Sequence, residues 1–235
     1  MLSDFQVHPS LATADIARAR AWYAEKLGLE PAHEWEGLLR YSLRSTMFTV
    51  FETPLAGTAK NTVAVWQVDD LRAEVARLRA RGLAFEQLDY GPDDRTVDGI
   101  MTTATDAGIV LNAWFKDSDG NWISVVQQPP RPGVEPGIGA MLAASDLART
   151  RAWYSEKLGL EPFRVYGDDE LIYLSGMTHL SIYKTSSAGT AKNTVAIWRV
   201  NDVRAEVAGL RARGVSFEDY DVGDERTVDG ILDGF

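Results

Sequence analysis

The segment Arg18-Ala-Arg-Ala-Trp-Tyr-Ala-Glu-Lys-Leu-Gly-Leu-Glu-Pro31 returns as Arg149-Thr-Arg-Ala-Trp-Tyr-Ser-Glu-Lys-Leu-Gly-Leu-Glu-Pro162, about 131 residues further along the chain. Two more strings recur in the same order: Ala56-Gly-Thr-Ala-Lys-Asn-Thr-Val-Ala64 as Ala188 to Ala196, and Arg95-Thr-Val-Asp-Gly-Ile100 as Arg226 to Ile231. Solenoid repeats and propeller blades recur every ~20–50 residues, so an interval this long is a duplicated domain. The 235-residue chain therefore reads as two domains, 1–128 and 138–235, joined by 129–137. That joint, Pro129-Pro-Arg-Pro-Gly-Val-Glu-Pro-Gly137, cannot run as helix and makes a poor central strand. With 45% hydrophobic residues, each domain has the means to bury its own core.

Working outward from the first copy, Phe5 to Ala12 reads as a strand, and Thr13 or Asp15 caps the helix that follows. Ile16, Tyr23 and Leu27 lie on one helical stripe, and Gly28 ends it as a C-cap glycine. Strands Leu38 to Leu43 and Met47 to Glu52 flank the polar turn Arg44-Ser-Thr46, which gives a βαβββ unit. The pattern begins again with strand Thr62 to Val68, a helix capped by Asp69 or Asp70 that carries Leu71, Val75 and Leu78, and Gly82. Extended stretches Ala84 to Leu88, Ile109 to Lys116 and Trp122 to Gln127 complete this second unit, the last two joined by Asp117-Ser-Asp-Gly-Asn121. Each domain is thus a pair of units. The second copy runs from Ile138 through a helix at Leu147 to Leu158, strands around Leu171 and Leu180, and a unit from Thr194. It stops at Ile231-Leu-Asp-Gly-Phe235, so it is expected to lack its last two strands. A chain cut short is the simple explanation; strand supply from another chain, giving a homo-oligomer, is the sharper one.

Composition narrows the partners. A net charge of −10 with no basic run gives a polyanion nothing to hold, which argues against nucleic acid and anionic membrane and for a small-molecule ligand. The absence of cysteine excludes disulfides, thiolate metal ligands and a cysteine nucleophile, and suits a reducing cytoplasm. The start Met1-Leu-Ser-Asp-Phe-Gln-Val-His8 has no signal-peptide character, so a cytoplasmic location is expected. No Gly-x-Ser-x-Gly elbow occurs, and the lysines of the two Ala-Gly-Thr-Ala-Lys-Asn loops lack the setting of a phosphate loop. Asp98 and Asp229 each precede glycine and read as turn residues before they read as bases.

The paired βαβββ units, the helix end Ala21-Trp-Tyr-Ala-Glu-Lys-Leu-Gly-Leu29 and the turn Trp114-Phe-Lys-Asp-Ser-Asp-Gly-Asn121 resemble the vicinal oxygen chelate superfamily. That family includes glyoxalase I, extradiol dioxygenases and the bleomycin- and fosfomycin-resistance proteins. The resemblance implies an α+β fold in which paired units form a curled mixed-sheet cup. It also implies, for the metalloenzyme members, His or Gln on the first strand, an acid on the fourth, His or an acid on the fifth and Glu on the eighth. Carried over, these positions fall on His8, Thr49, Val63 and Ser124 in the first domain. In the second they fall on Gly139, Ser181 and Val195, with the eighth strand missing. His8 is then the one family-matching ligand, and no metal cofactor is expected. The other histidines, His33 and His179, fall on a loop and on a fourth strand of the other domain.

Alternation along these strands sends His8, Ser10, Met47, Thr49, Phe51, Val63, Val65, Gln67, Trp122, Ser124 and Val126 toward the cup. It sends Phe48, Val50, Trp66, Ile123 and Val125 toward the helices. The expected substrate-binding set is His8, Met47, Thr49, Phe51, Val63, Gln67, Trp122 and Ser124 in the first-domain cup, with no catalytic residue assigned. The leading reading is a metal-independent protein that binds a small aromatic or hydrophobic molecule, as a sequestering resistance protein does. A metal-dependent glyoxalase, lyase or dioxygenase using His8 is the alternative, and a non-catalytic assembly module with filled cups is the third. Spacing leaves open which units pair to form each cup, and Trp122→Ala is expected to weaken binding more than His8→Ala.

Overall fold

The computed structural model describes residues 2–43, 45–92, 94–105, 108–129, 137–222 and 225–232; linker residues 130–136, Arg44 of the expected turn and Phe235 lie outside them. Four units follow one another. The first comprises β1 (Val7–Thr13), α1 (Ile16–Trp22), β2 (His33–Trp35), β3 (Leu38–Leu43) and β4 (Thr46–Glu52). The second has β5 (Thr62–Gln67), α2 (Leu71–Ala80), β6 (Thr96–Val97), β7 (Ile100–Thr105), β8 (Gly108–Lys116) and β9 (Trp122–Gln127). The third has β10 (Ile138–Ala144), α3 (Leu147–Trp153), β11 (Arg164–Tyr166), β12 (Glu170–Ser175) and β13 (Thr178–Lys184). The fourth has β14 (Ala196–Trp198), α4 (Val203–Ala212) and a small hairpin of β15 (Asp221–Val222) with β16 (Glu225–Arg226). No helix among the described residues is long and apolar enough to cross a membrane.

Local chemistry fixes these elements. Each α-helix starts at an aspartate in extended conformation whose carboxylate accepts from the backbone N–H three residues on: Asp15 from Arg18, Asp70 from Ala73, Asp146 from Arg149 and Asp202 from Ala205. After α1 and α3 the chain continues through a π-turn, Tyr23–Leu27 and Tyr154–Leu158, and Gly28 and Gly159 end it in the left-handed region. Asp98 and Gly99 both have positive φ (50° and 70°), which closes the two-residue hairpin between β6 and β7. Two expectations are corrected here. His33 belongs to the short strand β2, and Ala84 to Leu88 forms no strand; the third partner of the second unit's ladder is β7, beyond the Asp98-Gly99 turn.

The strands assemble into sheets ordered β14-β1-β4-β3-β2 and β11-β12-β13-β10-β5-β9-β8-β7-β6. Within a unit the first and last strands run parallel, as β1 with β4, β5 with β9 and β10 with β13. Between units the seams are antiparallel, β5 with β10 and β1 with β14. The second and third units therefore share one curled sheet, and the first shares its sheet with the fourth. The expected cup within residues 1–128 is corrected: of the pairings that spacing left open, the structure joins the second unit to the third through β5 and β10, so the cup is shared between the halves. Only β1 pairs with β14 among the described residues, whereas its counterpart β5 is paired on both edges.

The helix-covered faces follow the halves instead. One core joins Tyr23, Tyr41, Phe48 and Val50 of the first unit to Leu71, Val75, Phe115 and Ile123 of the second. The other joins Leu158, Leu171, Tyr173 and Ile182 of the third to Leu210 of the fourth and takes in Leu2 and Val7, as the first takes in Ile138. The first core is further tied by the turn after β8: Tyr23 donates its hydroxyl hydrogen to buried Asp117 at 2.9 Å, and Asn121 donates to the Ala12 carbonyl at 2.8 Å. Asp119 in the same turn accepts from the Ala14 N–H and from Arg18.

Candidate functional site

A cavity of about 430 Å³ opens in the sheet shared by the second and third units. Its walls are the inward-facing residues of successive strands: Thr103 and Thr105 of β7, Val110, Asn112 and Trp114 of β8, Ser124 and Val126 of β9, and Val65 of β5. The third unit adds Met141 of β10, Arg164 and Tyr166 of β11, Glu170 and Ile172 of β12, and His179 and Ser181 of β13. Spacing by two along every strand is what the pleat requires of one face. Directly opposed residues form a row across the floor, Trp114 beside Ser124, Ser124 beside Val65 and Val65 beside Gly139. Gly139 lacks a side chain there, and the His179 ring fills the space that a Cβ would take. At the unit-three end Arg164 donates to the Tyr166 hydroxyl at 3.2 Å. At the rim, Gln128 donates to the Gln67 side-chain oxygen at 2.8 Å.

Of the residues expected from the sequence, Ser124 lines this cavity, and Gln67 reaches its rim through Gln128. Val63 does not: β5 shifts register between Thr62 and Ala64, and the extra residue turns Val63 into the helix-side core. Trp122 lies at the start of β9 with the Lys116 ammonium 4.2 Å over its ring, outside the cavity lining. Phe48, Val50, Ile123 and Val125 are buried on the helix side with Trp66 packed against them, as alternation predicts. Sequence reading missed Trp114, Tyr166, Met141 and Ile172 as wall residues. The signal was present in the alternation of β8 and β12, but it becomes a site only once the second and third units are paired.

His8, Met47, Thr49 and Phe51 sit apart from Ser124 and Gln67, on the sheet of the first and fourth units. There Ser10, Thr49 and Arg40 face one another on β1, β4 and β3, and Thr49 donates to the Ser10 hydroxyl at 3.3 Å. His8 is 2% exposed, and neither of its ring nitrogens has a hydrogen-bond partner in the chain. Burial and the Arg199 guanidinium lower its pKa to about 4, with the Met47 backbone pulling the other way and Arg40 adding a smaller push. Arg199, just past β14, reaches to 3.6 Å from the Met47 sulfur.

Among the described residues neither cup has the donor set that the resemblance implies for a metal centre. In the cup of the second and third units the floor row holds Val65, Ser124 and Gly139, with Ser181 on β13, and hydroxyls, glycine and valine hold a divalent ion poorly or not at all. In the other, one imidazole is flanked by two guanidinium groups, which repel a cation. Among the described residues no three His, Asp or Glu side chains converge on one point.

One family profile matches residues 6–125 and 139–222, most of the chain. The chain belongs to the Glyoxalase/Bleomycin resistance protein/Dioxygenase superfamily. Solved structures of similar fold include a V278E variant of maize (Zea mays) glyoxalase I, 14% identical, with a TM-score of 0.58 over 88% of this chain and 79% of that one. A Bacillus subtilis protein provisionally assigned as a dioxygenase is 16% identical, with a TM-score of 0.57 over 96% and 80% of the two chains. At such identities the likeness is one of fold. No curated protein matches in sequence. Within the superfamily, then, the chemistry of this member has to be read from its own cups.

Proposed function

We propose that this superfamily member binds a small, flat, largely apolar molecule in the cavity between its second and third units, without a metal ion. The observation that carries the reading is the wall itself. Valine, methionine and isoleucine side chains line the cavity, Trp114 and Tyr166 supply aromatic faces from two different units, and polar groups (Asn112, Ser124 and Ser181 on the floor, Arg164, Asp169, Glu170 and His179 from the third unit) are available to orient a ligand. A cavity of about 430 Å³ matches the lower part of the size range of small-molecule pockets. The metal-dependent reactions of the superfamily need N or O ligands at floor positions that here carry Val65, Ser124, Gly139 and Ser181. Sequestration of the bound compound requires none of them.

The test is titration of the purified chain with a panel of hydrophobic aromatic compounds, following tryptophan fluorescence with and without chelator. Saturable quenching that survives chelation is expected, with Trp114→Phe raising Kd about tenfold or more and Trp122→Phe leaving it nearly unchanged. Binding or turnover that appears only on adding a divalent ion would overturn the proposal.

A further inference from the structure

The cup between the first and fourth units differs in chemistry from the cavity above. In a chain of net charge −10, it gathers two guanidinium groups and an imidazole. Among the described residues, neither Arg40 nor Arg199 makes a hydrogen bond or ion pair with a carboxylate. Their proximity is felt: burial and then the Arg199 charge lower the pKa of Arg40. The Arg40 guanidinium lies 4.7 Å over the Trp35 ring with its Nε buried and unbonded, and His8 is buried beside the Met47 backbone with no ring nitrogen in full hydrogen-bond geometry, a costly condition unless something completes them. Among the described residues, Ser10 on β1, Arg40 on β3 and Met47 and Thr49 on β4 share the face of His8, and Arg199 reaches it from the end of β14; none of these is an acid.

We propose that this cup is an oxyanion site, in which a carboxylate or phosphate group is held by Arg40 and Arg199 and hydrogen-bonded by His8. The planar guanidinium fork suits either group, and the Ser10 hydroxyl, which accepts from Thr49, lies on the same face to donate to a remaining oxygen. His8 in its neutral form supplies one N–H. The site stands independently of the cavity ligand, since the two cups face different sheets.

Isothermal titration of the full-length protein with sodium phosphate and with sodium benzoate, at ionic strength held constant with chloride, tests the assignment. Saturable binding of at least one of them is expected; which one saturates identifies the oxyanion. Arg40→Met and Arg199→Met should each weaken it about tenfold or more, and Arg199→Lys less than Arg199→Met. NMR of the wild-type His8 ring at fixed neutral pH, assigned by loss of its signal in His8→Gln, gives a readout independent of variant folding: its ring resonances should shift saturably as the anion is added. Heat signals matched by chloride alone, unmoved His8 resonances, or full binding by the folded Arg40→Met/Arg199→Met double variant would overturn it.

Discussion

Two residues show how single side chains set the chemistry of these cups. His8 has a pKa near 4 in the folded chain against about 6.5 when unfolded, so the unfolded chain binds the extra proton first. The stability that follows is complete above the unfolded value and is lost as pH falls from about 6.5 toward 4. Across that window urea melts should show the wild type losing roughly 3 kcal/mol relative to His8→Gln; parallel curves would refute the burial-driven shift. Gly139 makes the second case. It stands where a superfamily metalloenzyme carries its first-strand ligand, yet here the His179 ring occupies the vacant space. Gly139→Ala should displace that ring, lowering stability by about 1–3 kcal/mol and weakening ligand quenching in the cavity. His8 could be read from the sequence as an inward-facing residue of the first strand. Its cationic neighbours could not, because Arg199 arrives from a strand nearly the whole chain away.

At the scale of elements, the caps, the glycine stops and the Asp-Gly turns were legible because each rests on a local preference: an extended aspartate, a left-handed glycine, a two-residue hairpin. The Val63 placement was not. A single extra residue in β5 reverses the side on which it points, and nothing in the alternation of Thr62 to Gln67 announces it. The turn at Asp117 is the element that most separates the two copies. In the first half it gives Tyr23 a buried carboxylate partner; among the described residues Tyr154, its counterpart, makes no such bond. Tyr23→Phe should therefore cost about 1–3 kcal/mol in thermal or urea unfolding, and Tyr154→Phe markedly less. Equal losses would mean that the Asp117 bond adds little beyond ring packing.

For the whole molecule, duplication, unit order and α+β class were readable from recurring strings, while the pairing of units was not. Four similar units can be joined in more than one way, and only the seams β5 to β10 and β1 to β14 decide it. The outcome is two superposed divisions of one chain: each core is built mainly from one half, with Ile138 entering the first and Leu2 and Val7 the second, while cups belong to pairs drawn from both halves. Residues 1–128 and 138–235 produced as separate chains should therefore associate when mixed, and the mixture alone should quench with the cavity ligand; size-exclusion chromatography with fluorescence detection checks both. Two separate species, or full quenching by the first half by itself, would contradict the shared cup.

The β5 to β10 seam runs through the floor of that cavity. A guest lodged there touches both halves at once and acts as a clasp: to part the halves is also to expel it. Cohesion of the molecule is thereby tied to occupancy, and a chain that captures a compound becomes harder to pull apart in proportion to how much of it is present.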